Sequence, residues 1–437
     1  MSKIFKNMIP YWKSIIIIFA LLFVQAWCDL ALPSYTSDII DVGIQNNGVE
    51  HIVPEALTAE AFEMAELFMT DEEADLWESI YEQDDDIYRL QVTSESELNE
   101  IDDTLAVPLI MNYQMSVMED SEVKEHVAKP TGADAGTLEK DTLLSMRDSM
   151  EETIDTMGSS LVKSMGAAYA VSCDKAAGID VEKIQKSYLV TAGLKMVGMA
   201  LMIGIVTVLV GFFASRVGAG IGRTLREKVF KQVVGFSNAE MDKFSTASLI
   251  TRSTNDIQQI QMVSVMLLRM VAYAPILGVG GVLKVMQTGA GMGWIIVLAI
   301  LVILGYVMVL MAVTMPKFQL MQKLVDNINL VSREILTGLS VIRAFGREKK
   351  EEERFDVANK DLTKTMLFTN RVMTFMMPGM MMIMNVLSVG IVWVGAHKID
   401  AGTMQVGAMT AFITYAMMIV MSFLMLTMMS IMLPRAA

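Results

Sequence analysis

Six long apolar stretches recur along the chain, separated by polar segments of very different length. Each stretch has close to the roughly 20 residues that a helix needs to cross a bilayer. They cover residues 14–32, 188–213, 262–285, 294–315, 372–396 and 407–433. This pattern predicts an all-α membrane protein with six transmembrane helices.

The polar connections fall into two kinds. The connections at residues 287–293 and 398–406 are short, which predicts antiparallel helix pairs. Residues 216–256 and 317–371 are long and rich in Lys and Arg. We expect these two regions to be long helical extensions of the neighbouring spans that project beyond the membrane.

Composition supports a polytopic membrane protein. The 437 residues are 53% hydrophobic, with a mean hydropathy of +0.45. The net charge of −14 is unevenly distributed. Residues 45–186 contain 33 Asp and Glu against 9 Lys and Arg, a net charge of −24, whereas the rest of the chain has 16 acidic and 26 basic residues, a net charge of +10.

The acidic segment, residues 45–187, separates the first span from the second. Thr70 and Glu73 have the spacing of a helix capping box, and Phe62, Trp77 and Tyr81 can supply an apolar core. We expect a small, mostly helical domain, with breaks between 130 and 136 and a further helical pattern over 137–170. A flexible acidic loop is the alternative.

Six spans place both termini on one side of the membrane. The N-terminus and the two basic connections share that side, so the positive-inside rule predicts that they are cytoplasmic and that the acidic segment is extracellular. The first apolar stretch lacks a cleavage pattern and is interpreted as a retained helix, within a first region of residues 1–44. Residues 188–433 would contain the second to sixth spans.

A polar stretch at residues 327–359 lies between the fourth and fifth spans. Ile335, Leu339 and Ile342 recur at helical spacing, which indicates an amphipathic helix. Gly338 and Gly346 interrupt this pattern, and glycine disfavours a helix interior by about 1 kcal/mol. The sequence therefore predicts a bent element that presents a knob below the membrane.

Several motifs in these regions resemble ABC exporters. The pattern E-x-x-x-G-x-x-V-I-R-A-F-x-x-E, which begins at Glu334, resembles their second intracellular loop. The pattern F-S-x-x-x-L-I-x-R-x-x-N-D-I, which begins at Phe244, resembles their first. L-R-x-x-x-x-A-P-I near the third span and H-K-I-D-A-G after the fifth are also similar to the family.

The resemblance implies the transmembrane (permease) half of an ATP-driven exporter. It would move a drug, lipid or peptide out of the cytoplasm by alternating access in a dimer. Short coupling helices in the two loops would dock into ATP-binding domains. The residues to which the resemblance assigns this coupling role are Phe244, Ser245, Thr246, Leu249, Arg252, Asp256, Glu334, Gly338 and Val341.

The same resemblance implies a second half-transporter as partner, and the acidic segment slightly favours an unequal pair. ATP and Mg²⁺ would be bound by an ATP-binding domain, which would begin shortly after the linker residues 434–437 or lie on another chain. The sequence itself has no G-x-x-x-x-G-K-[ST] motif to bind phosphates. No feature indicates a nucleic-acid partner.

Other chemistry has little support in the sequence. Two cysteines and three widely separated histidines give neither a disulfide framework nor a metal-ligand spacing. Asp29 is an ionisable residue near the end of the first span. It is a candidate for a functional role, but a position at the outer interface is the favoured interpretation.

Methionine is abundant, with 41 residues, and flexible thioethers suit varied apolar ligands. The substrate pathway hypothesis rests on Met377, Met381, Met384, Met421 and Met425 in the last two spans. The alternative is that these side chains face lipid or neighbouring helices.

Two other functional classes are alternatives to the exporter hypothesis. A membrane-anchored sensor or receptor could use the acidic segment to bind an extracellular ligand. Two separately placed coupling motifs are not needed by such a sensor. An intramembrane enzyme is disfavoured because the spans contain no constellation of His, Asp and Ser.

Overall fold

The computed structural model describes residues 7–84, 86–120, 159–241, 244, 246–288 and 291–436. The elements, in chain order, are α1 (Trp12–Asp38), β1 (Ala56–Thr58), α2 (Ala59–Glu66), α3 (Asp71–Ile80), β2 (Tyr81–Asp84), β3 (Ile87–Leu90), α4 (Glu95–Asp120), α5 (Ser159–Ala176), α6 (Val181–Val234), α7 (Asn238–Met241), α8 (Thr246–Thr251), α9 (Ile257–Met266), α10 (Tyr273–Gln287), α11 (Gly293–Thr337), α12 (Leu339–Ala344), α13 (Glu348–Thr374), α14 (Met376–Asp400) and α15 (Val406–Ala436).

Within the described residues, six helical runs are long and apolar enough to cross a membrane. The runs are Ile9–Gln45, Val181–Val234, Ala247–Gln287, Gly293–Thr337, Glu348–Asp400 and Val406–Met428. Their number and order confirm the predicted all-α architecture of six spans. Several runs exceed 40 residues, which is about twice the length needed to cross a bilayer. Part of each long run therefore extends beyond the membrane.

Two buried cores hold the bundle together. One joins α1, α10, α11, α14 and α15 around Phe412 and Tyr415. The other joins α1, α6 and the α9–α10 run around Ile18, Ile221 and Leu268. Because α1 contributes to both cores, it links α6 to the rest of the bundle.

The fifth span is interrupted at Phe375, where the sequence predicted one continuous helix over 372–396. Pro378 follows three residues later and has no backbone N–H to donate to a carbonyl of the preceding turn. Tyr306 of α11 donates its hydroxyl to the Phe375 carbonyl at 2.7 Å. A side chain at Gly379 would overlap this tyrosine ring, so glycine is required there.

The acidic segment contains a small α/β unit with its own core. Its strands form an antiparallel sheet in the order β1-β3-β2, with Ala56 opposite Arg89 and Tyr81 opposite Leu90. The core is centred on Trp77, whose ring lies 5.5 Å from Phe62. The sequence predicted helices here but not the sheet. Residues 121–158, which include the predicted break at 130–136 and most of the pattern at 137–170, lie outside the described residues.

Asp41 joins the first helical run to the start of the last span. Its carboxylate accepts the backbone N–H groups of Gly407 at 2.7 Å and Ala408 at 3.2 Å. These are among the first N–H groups of α15, which have no partner within their own helix. Asp41 is buried and also accepts the Ser37 hydroxyl. It therefore caps α15 from a different helix.

The acidic segment also contacts the connection between α14 and α15. The N–H of Leu161, in α5, donates to the carbonyl of Gly402 at 3.1 Å. The end of the bundle that carries this segment is therefore joined by hydrogen bonds between elements that are distant in sequence.

Candidate functional site at the helical tips

The opposite end of the bundle carries two tips, which contain the motifs that resemble exporter loops. The second tip consists of α12 and its flanking residues, from Glu334 to Arg347. The helix α11 ends at Thr337, α12 follows, and α13 begins at Glu348. The two breaks lie at Gly338 and Gly346, as the sequence predicted.

Local hydrogen bonds fix the end of α12. Gly346 has a φ of 60°, and its N–H donates to the Arg343 carbonyl at 3.3 Å. The N–H of Arg347 donates to the Ile342 carbonyl at 3.0 Å. This pair of bonds is a Schellman motif, which favours glycine because the residue adopts a left-handed conformation. The six-residue helix thus has a defined end without help from a distant part of the chain.

An ion pair braces the second tip from the side. Arg354 of α13 lies 2.7 Å from the Glu334 carboxylate of α11 and 3.5 Å from Glu351. All these groups are partly exposed to solvent, so the pairs contribute little to global stability. Their role is geometric, since they hold α11 and α13 together immediately beside α12.

Large apolar side chains on the second tip face outward. Leu336 is 73% exposed, Val341 60% and Phe345 78%, and Leu339 is exposed as well. The cationic residues Arg343 and Arg347 are exposed on the same tip. An apolar patch with a charged rim is typical of a docking surface. The second tip can therefore bury an apolar knob in a complementary groove.

The first tip lies between α6 and α9 and is held by aromatic contacts. The rings of Phe236 and Phe244 stack at 5.7 Å, and the guanidinium of Arg252 lies 5.7 Å from the Phe244 centroid. The N–H and hydroxyl of Ser237 both donate to Glu240 at 2.9 Å, which lowers the pKa of that carboxyl. The aromatic contacts bring Phe236, Phe244 and Arg252 together.

The structure brings some of the predicted residues of the first tip together. Phe244 and Arg252 are in contact, whereas Leu249 is half-buried and Asp256 is exposed. Arg252 to Asp256 form a π-helical turn that the sequence did not predict. Ser245 lies outside the described residues, and Thr246 is described only by its backbone at the start of α8.

The methionines proposed for the substrate pathway occupy different environments. Met377, Met381 and Met421 are exposed, whereas Met384 and Met425 are partly buried. Met384 packs against the core around Phe412. The five side chains therefore do not form one uniform surface within this chain.

Asp29 of the first span contacts a residue of the third. Its carboxylate accepts a short hydrogen bond from the Tyr273 hydroxyl. Tyr273 precedes the end of α10 at Gln287 by 14 residues, which corresponds to about 21 Å of helix. The sequence could not predict this contact because Asp29 and Tyr273 are 244 residues apart.

The residues present do not fit a bound nucleotide or its metal ion. The sequence has no phosphate-binding loop. Within the described part of the chain, no group of three His, Cys, Asp or Glu side chains could hold a metal ion. The arrangement of the tips suits mechanical docking.

Comparisons with known proteins show what this chain is similar to. A family model described as the ABC transporter transmembrane region matches residues 154–423. An uncharacterized ABC transporter ATP-binding protein of Mycobacterium tuberculosis is 34% identical over 278 residues, which cover 63% of this chain and 48% of the relative. An uncharacterized ABC transporter ATP-binding protein of Bacillus subtilis is 29% identical over 224 residues, 51% of this chain and 39% of the relative.

More distant similarity extends to proteins named as flippases. An ATP-dependent lipid A-core flippase of Salmonella typhimurium is 24% identical over 193 residues, which cover 41% of this chain and 31% of the relative. The chain spans about half the length of the mycobacterial relatives that it matches.

Proposed function

We propose, from the premise that this chain belongs to the ABC transporter transmembrane-region family, that it is the permease half of an ATP-driven exporter. It would move an amphipathic or hydrophobic substrate out of the cytoplasm. The tips and both termini would be cytoplasmic, and the acidic segment would be extracellular. The basic character of residues 216–256 and 317–371 supports this orientation.

The exposed apolar knob of the second tip is the observation that carries the proposal. Leu336, Val341 and Phe345 are exposed at the end of two long helices that continue into the membrane bundle. A partner that encloses the knob can move α11 and α13 as rigid levers. Burying one such side chain contributes about 1.5–3 kcal/mol to docking.

The proposed mechanism is a shift between two arrangements of the helices. An ATP-binding domain docked on both tips would favour one arrangement when its nucleotide is bound and the other after release. ATP and Mg²⁺ would be held entirely by that domain. The second half of the bundle would come from a partner half-transporter, and the acidic segment slightly favours a partner that is not identical.

The names of the relatives support the transport class more than any particular substrate. Several are named as ABC transporter ATP-binding proteins, and two as lipid A-core flippases. An amphipathic substrate fits these names and the exposed methionines Met377, Met381 and Met421. The sensor hypothesis does not account for two tips on the side opposite the acidic segment.

The test replaces an apolar side chain of the knob by a charged one. Val341→Asp should reduce transport and substrate-stimulated ATP hydrolysis of the assembled complex by at least tenfold. A charged group in the docking groove costs more than the roughly 1.4 kcal/mol that corresponds to tenfold. Transport is measured in proteoliposomes, together with the membrane level of the chain.

Val357 provides a matched control, because it is 59% exposed against 60% for Val341 and lies on α13 away from the tip. Val357→Asp should leave transport within about twofold of the wild type, because a single exposed substitution usually changes the free energy by about 0.5 kcal/mol or less. Wild-type transport by the Val341→Asp complex would contradict the proposed docking role.

A further inference from the structure

A groove lies on the surface of the acidic segment, between α3 and α4. Its volume is about 340 Å³, within the roughly 300–1,000 Å³ that is typical of ligand sites. Four of its lining residues are apolar, namely Leu76, Ile80, Val92 and Ile101. The other lining residues are polar and come from α4, so the groove has an apolar side and a polar side.

The apolar side of the groove is held by the core of the acidic segment. Ile80 and Ile101 are buried in the core centred on Trp77, and Leu76 and Val92 pack against that core. Leu76 and Ile80 are four residues apart on α3, so they lie on the same helix face. The apolar side is therefore part of a packed structure, and its position does not depend on a ligand.

The polar side of the groove carries two carboxylates. Glu97, Glu100 and Thr104 are spaced three and four residues apart, so they share one face of α4. Glu97 and Glu100 are exposed, and neither carboxylate forms an ion pair with another residue that the structure describes. The Thr104 hydroxyl donates to the backbone carbonyl of Glu100 at 2.9 Å and not to a carboxylate. A cation that enters the groove can therefore bind two carboxylates that otherwise repel each other.

The charges around the groove indicate what kind of ligand it fits. Residues 71–80 and 95–104, which form the two helical walls, each contain five acidic residues and no Lys or Arg. A surface with one sign of charge raises the local concentration of ligands of the opposite sign. The groove therefore fits a ligand that has several positive charges as well as apolar groups.

We propose that this groove binds a cationic amphipathic peptide. An apolar side chain of the peptide packs against Leu76 and Ile80, and a neighbouring Lys or Arg side chain lies between Glu97 and Glu100. The acidic segment would then recognise a ligand by both its charge and its apolar groups. The proposal concerns a site on this segment alone, so it does not depend on transport or on the docking role of the tips.

Peptide titration tests whether the site needs both kinds of group. The complex in phosphatidylcholine nanodiscs is titrated with a fluorescent synthetic peptide of alternating Leu and Lys, and binding to empty nanodiscs is subtracted. A peptide of alternating Ser and Lys has the same charge and should bind about tenfold more weakly, because it buries no apolar side chain. Hydrogen exchange should show protection by the Leu-Lys peptide in α3 and α4 but not in α12. Equal binding of the two peptides, or protection only outside α3 and α4, would overturn the proposal.

A second experiment separates the two carboxylates from the general charge of the segment. The double variant Glu97→Gln, Glu100→Gln should weaken binding of the Leu-Lys peptide about tenfold. The matched control is Glu60→Gln, Glu63→Gln on α2, where two exposed carboxylates have the same spacing but do not line the groove. The control should bind within about twofold of the wild type. Equal weakening by the two double variants would show that the peptide follows the overall charge and does not use the groove.

A third experiment blocks the groove without changing its charge. Thr104→Trp should fill the groove and abolish binding of the Leu-Lys peptide. Asn99→Trp is the matched control, because Asn99 and Thr104 are both exposed on α4, and each donates to the carbonyl of the residue four positions earlier. Hydrogen exchange of the β1-β3-β2 sheet shows whether each variant is folded. Wild-type binding by folded Thr104→Trp would refute the site, and the charge variants decide the question if that variant does not fold.

Discussion

The two ends of the molecule differ in how their polar and apolar groups are paired. At the end that carries the acidic segment, buried polar groups connect distant parts of the chain, as when Asp41 caps α15. At the tips, the hydrogen bonds are local and the apolar side chains of Val341 and Phe345 remain exposed. The first end joins distant parts of the chain through buried hydrogen bonds, whereas the second tip leaves its apolar side chains exposed in this chain. This contrast indicates which end exchanges contacts during function.

The largest expected effect is at the core of the acidic segment. Trp77→Ala should destabilise this segment by about 3–5 kcal/mol, because it removes a fully buried ring that packs on Phe62 and Tyr81. The measurement is hydrogen exchange of α3 and of the β1-β3-β2 sheet. Exchange in α12 should be unchanged if the two ends are independent.

Trp77→Phe sharpens this test. The indole N–H of Trp77 has no hydrogen-bond partner among the residues that the structure describes, so the phenylalanine variant removes an unsatisfied donor and keeps most of the packing. A loss as large as that of the alanine variant would contradict this account.

The next effect concerns the cap between α1 and α15. Asp41→Ala leaves two N–H groups without their acceptor and should lower the free energy of unfolding by about 1–3 kcal/mol. Thermal unfolding of the purified complex measures the loss. Asp41→Asn keeps one acceptor oxygen and should lose less. Equal stability of all three proteins would show that the cap does not hold the two helices together.

The acidic segment should become less stable as the pH rises. Hydrogen bonding to Asp102 raises the pKa of His51. The stabilisation of the fold by protonated His51 is therefore complete below about pH 6.5 and is lost as the pH rises through the raised pKa. Burial raises the pKa of Asp174 to about 6, so ionisation destabilises the fold as the pH rises from about 4 to 6.

Both groups therefore make the segment more stable at pH 5 than at pH 7.5, by on the order of 1 kcal/mol. Hydrogen exchange at the two pH values measures the difference. Asp174→Asn cannot ionise and should reduce it, whereas exchange at the tips should show no matching trend. A segment that is more stable at pH 7.5 would refute this assignment.

The smallest effect on stability, with a large effect on function, is expected at Glu334. Glu334→Ala removes an exposed ion pair and should change the free energy of unfolding by less than about 1 kcal/mol. Transport should still fall several-fold, because α11 and α13 lose their brace beside α12. Asp356→Ala breaks an exposed pair within α13 and is the control, for which transport should be retained. Equal transport by both variants would show that Glu334 is not needed to hold α11 and α13 together.

The sequence could predict the six spans because length and hydropathy are properties of contiguous residues. The ends of α12 were predictable for the same reason, since Gly338 and Gly346 act locally. The strands β1, β2 and β3 were not, because segments of three or four residues carry too little periodicity. Pro378 indicates a break near Phe375, but the continuous apolar stretch around it favoured a single helix.

Contacts between residues far apart in sequence could not be predicted. Asp41 and Gly407 are separated by 366 residues, and nothing in either motif specifies the other. The same holds for Lys228 and Asn7, which are 221 residues apart. The candidate residues of the tips could be proposed from motifs, but their exposure and mutual contacts required the structure.

The Schellman motif at Gly346 affects how fast another domain could bind the second tip. Because α12 is already a capped helix in the isolated chain, a domain that binds it would not have to fold it. Association then loses little conformational entropy at the joint. A preformed helix of this kind could bind and dissociate in every transport cycle without limiting its rate.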